Sequence, residues 1–410
     1  ISAHMINPRL SKRWSLWLLI LLLLLAAVAG HLAISQTWQL VDEEENLVQI
    51  RMFLHGQYQE FQYIATTPVY HGMIALFAWL LNAQSLSSIR LISLMLGLSA
   101  VAGFFIAARR LDAMDAPLTT SQFFFLPILL PFFFLLYTDV LSLGLLLFSV
   151  YGALTHRERL AGAAGILAVV VRQNQIVWLL FVFLLLYLIE NGYSMDREAI
   201  KNHLRRCWIF LMGFAAFALF VLLNHGIAIG DRKMHPPFTF HLGNVYFSLF
   251  LFLMVFLPMH LANFHKVCAL IRRNPWVLAA LGLLLAIYLP TFTDTHPYNF
   301  VHGFLRNVML ELATLALWTK LLFFIPIAYA ILSIAVTPLK KPAFHLIYPF
   351  WILTLVPAWL IEERYYLVAF SLFLLFRERQ SRGVEYASLV YSMATGSFFL
   401  WGISQRWFFL

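Results

Sequence analysis

Long apolar segments separated by short basic clusters recur along the whole chain, and this pattern restricts the fold more than any other feature. A run of about 20 apolar residues is long enough to cross the hydrocarbon core of a bilayer as a helix. The chain is 62% hydrophobic and 11% charged, whereas soluble domains carry about a quarter charged residues. These figures exclude both a water-soluble globular domain and a disordered chain. We therefore predict an all-α polytopic integral membrane protein.

The apolar segments predict about 13 transmembrane helices, with the N-terminus on the cytoplasmic side. They lie near residues 14–34, 89–108, 120–137, 140–154, 159–171, 175–189, 207–224, 244–262, 276–290, 312–336, 343–361, 364–376 and 385–403. The first segment is longer than the core of a signal peptide, so we expect it to be retained as a span. Residues 1–4 precede Met5 and read as a cloning remnant, and residues 5–410 are expected to form one domain.

The basic residues indicate membrane topology rather than a nucleic-acid partner. Of the 28 Lys and Arg residues, 19 fall in seven clusters between apolar segments, and one topology places all seven on the cytoplasmic side. That topology requires the short apolar stretch 68–81 to be a re-entrant or surface helix. One more span there would move every later basic cluster to the opposite side of the membrane. Cys207 and Cys268 lie beside basic loops, so no disulfide is expected.

The first exoplasmic loop, 35–88, carries the densest group of polar residues on the other side of the membrane. Its acidic run 42–45 is followed by apolar residues at helical spacing, which predict an amphipathic surface helix over 43–55. Asp42 would stand at the N-terminus of that helix, where the helix dipole stabilises a carboxylate. A second surface helix would follow Thr66-Thr67-Pro68. Acidic runs are often simply solvated, but two flanking helices would hold this one in place, which favours a function.

Several patches of the sequence resemble one enzyme family. They are Val41-Asp42-Glu43 with Gln49, Gly56-Gln57-Tyr58, Ile64-Ala65-Thr66-Thr67-Pro68, Phe134-Leu135-Leu136-Tyr137-Thr138-Asp139, Arg172-Gln173-Asn174-Gln175-Ile176-Val177-Trp178, Glu363-Arg364-Tyr365-Tyr366 and, as a looser match, His296-Pro297-Tyr298 with Arg306. The layout resembles that of the GT-C glycosyltransferases. The patches are similar to the eukaryotic α-1,2-glucosyltransferase family that adds the terminal glucose to the dolichol-linked oligosaccharide.

The resemblance implies a GT-C-like fold with two juxtamembrane amphipathic helices in the first exoplasmic loop. It also implies an inverting transfer of a hexose from a polyprenyl-phosphate donor on the exoplasmic face, with glucose favoured and mannose the alternative. The acceptor would be a hydroxyl group of a lipid-linked glycan or another envelope glycolipid, and membrane lipids would be further partners. The short loops favour a bacterial inner membrane with a periplasmic site, and a eukaryotic chain would instead have a lumenal site in the endoplasmic reticulum.

Such a transfer needs a carboxylate that accepts the proton of the attacking hydroxyl, and cations that stabilise the departing phosphate. By family position Asp42 is the expected base and Glu43 the second candidate, whereas Glu44 and Glu45 are expected to face other directions. The cations expected to bind the donor phosphate are Arg172, His296, Arg306 and Arg364. The substrate-binding residues that the matched patches imply are Gln49, Thr66, Thr67, Asp139, Gln173 and Tyr365.

Some of these residues also have structural interpretations. Arg172 can snorkel or pair two helices, Arg364 can form a local ion pair with Glu362 and Glu363, and Asp139 can simply end its span. The sequence has no His-Glu-x-x-His motif or cysteine cluster, so no metal or other cofactor is expected to be required. Two other functions stay open: a transporter or flippase of lipid-linked sugars, and a non-catalytic membrane scaffold.

Overall fold

The structure, a computed structural model, describes residues 8–236 and 239–410, with side chains from residue 16 onward; the expected cloning remnant lies outside the described residues. Within these ranges the chain forms 18 α-helices and no β-strand. They are α1 (Pro8–Ser35), α2 (Glu43–Leu54), α3 (Val69–Leu80), α4 (Leu86–Leu111), α5 (Ala116–Phe124), α6 (Thr138–Leu154), α7 (Glu158–Val171), α8 (Ile176–Asn191), α9 (Arg197–Arg206), α10 (Trp208–Asn224), α11 (Gly243–Val255), α12 (Leu257–Arg273), α13 (Trp276–Thr291), α14 (Leu305–Thr314), α15 (Leu317–Ala335), α16 (Ile347–Leu355), α17 (Leu367–Phe376) and α18 (Arg382–Ser404).

Long apolar helices identify an integral membrane protein. Four stretches are long and apolar enough to cross a membrane, namely Leu16–Ser35, Leu86–Leu111, Gln173–Asn191 and Leu317–Ala335. The pairs α9–α10 and α11–α12 would add two more, although they are bent by 73° and 98°. Exposed aliphatic side chains such as Leu24 and Leu222 suit contact with lipid. The expected number of about 13 spans is not confirmed, because the other apolar segments of the described chain form shorter or broken helices.

Prolines explain two breaks in the expected spans. The stretch 120–137 was expected to be one span, but it forms the end of α5, a buried irregular segment and the 3-10 turn Leu130–Phe133. Pro127 and Pro131 cannot donate the helical hydrogen bond, which favours a break here, and the prediction of one continuous span is wrong. The expected span 244–262 is likewise divided between α11 and α12, just before Pro258.

Close packing of α4, α6 and α7 forms the centre of the fold. A Cβ atom added at Gly144 of α6 would lie 2.7 Å from the backbone nitrogen of Ala100 in α4. A Cβ added at Gly152 would lie equally close, 2.7 Å, to the backbone nitrogen of Ala161 in α7. Small residues let helices approach this closely, so larger residues at either glycine would separate the helices.

The two short helices expected in the loop 35–88 are present as α2 and α3. They pack against each other through buried apolar residues such as Leu47, Ile50 and Ile74. Helix α3 has 12 residues, and at about 1.5 Å per residue it is too short to cross a bilayer. The boundaries of α2 place Asp42 at its N-cap, as the sequence predicts.

Candidate active site

A cavity of about 520 Å³ lies between the N-terminus of α2, the segment before α6, the end of α7 and the segment before α17. The charged residues on its walls, among them Asp231, come from five separate parts of the chain. They include Asp42, Glu45, Arg172, Arg306, Glu362 and Arg364. Three arginines therefore converge with carboxylates around one space, which is the arrangement that binding of an anionic group requires.

The turn before α2 directs Asp42 toward the cavity. Val41 has a φ of 53°, in the left-handed region that β-branched residues rarely adopt, so the surrounding structure must hold this turn in place. Asp42 follows as the N-cap, but its side chain makes no capping hydrogen bond. Its Oδ2 instead lies 2.9 Å from Nη2 of Arg364, and the side chain is 45% exposed. Asp42 therefore stands at the mouth of the cavity with an accessible carboxylate.

Glu45 also faces the cavity, and the expectation that it points elsewhere is wrong. It lies three residues after Asp42 in α2, a spacing that places both side chains on one face of a helix. Its Oε2 is buried and has no hydrogen-bond partner among the described residues. Burial raises the pKa of this carboxyl group, and the nearby charges of Asp42, Glu44 and Asp231 raise it further.

Glu43 lies outside the cavity and cannot serve there as the second base. Its side chain is completely buried and binds Arg90 of α4 through both oxygens, with Arg90 Nε 2.9 Å from Oε1. The same carboxylate accepts hydrogen bonds from the backbone nitrogens of Leu40 and Leu136, at 3.0 and 2.9 Å. Because both oxygens are occupied, Glu43 holds the turn before α2 against α4 and against the segment that leads to α6.

Asp139 orients two of the arginines. It is buried in the first turn of α6, where its Oδ1 forms an ion pair with Arg172 and its Oδ2 lies 3.8 Å from Nη1 of Arg364. Arg364 also lies 2.8 Å from Glu362, and its guanidinium covers the ring of Tyr137 at 4.9 Å. The local ion pair that the sequence suggested for Arg364 is therefore present, as one part of a larger network.

Arg306 is held by the two acidic residues before Arg364. Its guanidinium lies 3.0 Å from Glu362 and 3.3 Å from Glu363. Burial opposes ionisation of Glu362, but Arg306 and Arg364 outweigh it and lower the pKa of that carboxyl group. Burial and the charge of Glu362 raise the pKa of Glu363 to about 7. Glu362 therefore joins Arg306 to Arg364 on this side of the cavity.

Three residues predicted to bind substrate instead hold loops in place. The buried side-chain amide of Gln49 bonds the backbone of residues 59 and 61, at 3.0 and 2.6 Å. Gln173 accepts a hydrogen bond from the Thr67 backbone at 3.3 Å and donates to the carbonyl of Ile227 at 3.3 Å. None of Gln49, Thr67 and Gln173 lines the 520 Å³ cavity, although Gln173 lines an adjacent cavity of about 220 Å³.

Thr66 and Tyr365 line the cavity, as predicted, but His296 does not. The imidazole of His296 is completely buried. Its Nε2 lies 3.2 Å from the carbonyl of Met234, and its Nδ1 accepts a hydrogen bond from the Tyr298 backbone at 3.1 Å. With both nitrogens occupied, His296 packs the loop before α14, so the structure does not support its predicted role in phosphate binding.

Asp231, His235 and Tyr298 form a polar rim of the cavity. The hydroxyl of Tyr298 donates to Asp231 at 3.3 Å, and His235 Nδ1 lies 3.5 Å from the same carboxylate. Tyr298 belongs to a patch that matches the family, whereas no motif in the sequence marks Asp231. Among the described residues, no group of three His, Cys, Asp or Glu side chains is arranged to hold a metal ion.

The helical membrane fold and its charged cavity define a structural class. The crystal structure of ArnT from Cupriavidus metallidurans in the apo state matches with a TM-score of 0.51 and 15% identity, over 97% of this chain and 77% of that chain. The fold is thus the GT-C fold implied by the sequence resemblance. The chain belongs to the DIE2/ALG10 family, whose profile matches residues 36–199 and 184–375.

Curated relatives share one name, Dol-P-Glc:Glc(2)Man(9)GlcNAc(2)-PP-Dol alpha-1,2-glucosyltransferase. The protein from Debaryomyces hansenii is 24% identical over 301 residues, which cover 61% of each chain. The protein from Arabidopsis thaliana is 26% identical over 328 residues, which cover 60% of this chain and 63% of its own. The chain spans about three-fifths of the length of these relatives.

Proposed function

We propose that this protein is an inverting glycosyltransferase that moves a hexose from a polyprenyl-phosphate donor to a hydroxyl group of a lipid-linked glycan or another envelope acceptor. One observation carries the proposal: the accessible carboxylate of Asp42 faces a cavity that Arg172, Arg306 and Arg364 line. Glucose is favoured over mannose because the relatives are named as Dol-P-Glc glucosyltransferases.

In this proposal Asp42 accepts the proton of the acceptor hydroxyl as its oxygen attacks the anomeric carbon. The bond between that carbon and the phosphate oxygen breaks, and the lipid phosphate leaves toward Arg172 and Arg364. Arg364 has a second role, because an incoming phosphate competes with Asp42 for the same guanidinium. Donor binding would thus loosen the contact of 2.9 Å and free the carboxylate to accept a proton.

Glu45 is a second candidate for the acidic group that assists the transfer. Its buried Oε2 has no partner among the described residues, and its pKa is raised by burial, as suits a group that exchanges protons. When ionised beside Asp42, it would also favour the positive charge that develops at the anomeric carbon. Glu45 therefore replaces Glu43 as the second carboxylate of the proposed site.

We also propose that the cavity opens on the exoplasmic side. Its walls come from the loop 35–88, from the segment 225–243, from residues 291–307 and from the ends of helices that the positive-inside topology places there. Helix α7, for example, has Arg172 at its end on the cavity wall and the basic residues Arg157 and Arg159 at its other end. This sidedness fits a periplasmic site in a bacterial inner membrane or a lumenal site in the endoplasmic reticulum.

The test is incubation of the purified protein in lipid nanodiscs with labelled polyprenyl-phosphate glucose, mannose and other sugars, with transfer and donor hydrolysis both measured. Wild type is expected to release the lipid phosphate from the glucose donor, and Asp42→Asn to lose activity by about 10²-fold or more. Glu44→Gln is the matched control, because Glu44 is exposed in the same helix turn and does not line the cavity. Full turnover by Asp42→Asn would overturn the assignment of the base.

A transporter or flippase gives a different result in the same system. Proteoliposomes would then move the lipid-linked sugar across the bilayer without breaking its bond to phosphate. A non-catalytic scaffold would leave every donor intact and in place. Either result with folded protein would contradict the proposed transfer.

A further inference from the structure

A second, much smaller cavity of about 20 Å³ adjoins the main one. The two share Arg172, Arg364 and Tyr365 on their walls, so these side chains separate them. The small cavity is further lined by polar residues of α6, of α16 and of the turn before α8. A cavity needs about 10–15 Å³ to hold a water molecule, so this space fits one.

Three residues that line the small cavity each carry a buried polar atom without a hydrogen-bond partner among the described residues. These atoms are Oδ2 of Asp139, Oε1 of Gln175 and Oγ1 of Thr354. The other polar atoms of two of these side chains are occupied, since Asp139 Oδ1 pairs with Arg172 and Gln175 donates to Ser142 at 3.1 Å. Buried polar atoms in native proteins nearly always have a partner, so three in one small space point to a missing one.

We propose that one ordered water molecule occupies this cavity and bonds all three side chains. It would donate hydrogen bonds to Asp139 Oδ2 and Gln175 Oε1 and accept one from the hydroxyl of Thr354. This set matches the hydrogen-bonding capacity of water, which has two donors and two acceptor sites. A monovalent cation fits less well, because Arg172 and Arg364 line the same space and repel it.

The water has a consequence for the active site. Asp139 lies between Arg172 and Arg364, and its Oδ2, at 3.8 Å from Arg364, is too far for a direct hydrogen bond. The water fixes the orientation of this carboxylate, which in turn holds both arginines at the wall of the main cavity. Thr354 and Gln175 are therefore positioning residues for the donor phosphate. This consequence rests on the proposed function, whereas the water itself does not.

The water is tested by an experimental structure at a resolution that shows ordered solvent. One density peak within hydrogen-bond distance of Asp139, Gln175 and Thr354 is expected in wild type, and its loss is expected in Thr354→Val. Direct contacts among the three side chains with no peak between them would overturn the proposal. A coordinated ion, or thermal stability that changes when sodium is replaced by potassium or choline, would also overturn it.

The positioning role is tested by transfer kinetics with a polyprenyl-phosphate hexose. Thr354→Val is expected to raise the KM for the donor about tenfold with little change in kcat, because the arginines bind phosphate in both ground and transition state. Thr354→Ser keeps the hydroxyl and should restore the KM. Ser371→Ala is the matched control, since among the described residues that buried hydroxyl bonds only the Leu367 carbonyl of its own helix, at 2.6 Å.

A merely structural role for Thr354 would lower the amount of active protein and so reduce the apparent kcat while the KM stays constant. That outcome would overturn the positioning role even if the water is present. If no variant and no donor gives transfer while the density peak is found, the proposed function fails and the water site stands.

Discussion

The guanidinium of Arg364 lies 2.9 Å from the carboxylate of Asp42, and the same side chain lies 2.8 Å from Glu362. Asp42 precedes α2 in the first loop, whereas Arg364 belongs to the 3-10 turn just before α17. One side chain therefore joins the proposed base to the acidic pair that holds Arg306. Because a guanidinium presents five donors in a fixed fork, it can hold several carboxylates at once, and an incoming phosphate competes with them for the same donors.

Arg364→Lys tests whether this fork geometry matters. Lysine keeps the charge but cannot bond Asp42 and Glu362 in the same arrangement, so kcat/KM for the donor is expected to fall by about 10- to 100-fold. Arg364→Ala is expected to lose more. Arg51→Lys in α2 is the control, because Arg51 is exposed and does not line the cavity. Unchanged kcat/KM in Arg364→Lys would show that charge alone suffices.

Glu45→Gln tests the second carboxylate through the pH profile. Burial raises the pKa of Glu45, so this group becomes protonated at a higher pH than an ordinary glutamate does. If the reaction needs Glu45 ionised, the wild-type rate should therefore already fall in mildly acidic buffer. The variant is expected to turn over several-fold more slowly at neutral pH and to lose that acidic fall. The measurement is kcat across the pH range for wild type and variant. An identical pH profile in both proteins would remove Glu45 from the mechanism.

Glu43→Gln tests the buried ion pair that fixes the turn before α2. Glu43 and Arg90 are both 0% exposed, so the variant leaves a buried guanidinium without its counter-charge. The free energy of unfolding is expected to fall by about 3–5 kcal/mol. Thermal unfolding in detergent would show a lower transition temperature. Glu44→Gln, with an exposed side chain at the next position, should unfold like wild type, and equal stability of the two variants would contradict the assigned role.

Much of the fold could be predicted from the sequence, because the length of an apolar segment and the basic clusters beside it indicate a membrane helix directly. The short helices α2 and α3 and the N-cap position of Asp42 are examples. The helix breaks at Pro127 and Pro131 were missed because an apolar run reads as one span even where proline interrupts it. The number of spans could not be derived for the same reason.

The proposed site was predicted in part. One cavity is lined by four of the predicted residues: Asp42, Arg172, Arg306 and Arg364. They could be predicted because motifs shared with a family identify site residues even when the packing of the helices is unknown. The sequence did not predict the role of a residue where that role depends on tertiary contacts. Glu43 is bound by Arg90, which is distant in the sequence, and so does not line the cavity. Glu45 lines the cavity instead, because of the direction in which α2 presents its side chain.

Asp294→Asn tests the cost of a partly buried charge beside the site. Burial raises the pKa of Asp294 from its ordinary 3.8 to about 6, against the opposing effect of Arg306. Its Oδ1 is buried without a partner among the described residues. A carboxyl group whose pKa is raised on folding stabilises the folded state only while protonated, so this contribution is full at low pH and is lost as pH rises through about 6.

The variant should therefore unfold at a higher temperature than wild type at neutral pH, and the difference should vanish below a pH of about 4. Thermal unfolding in a pH series measures it, with Glu311→Gln, an exposed position on α14, as the control. A difference that is constant across the series would show that Asp294 is not titrating in this range.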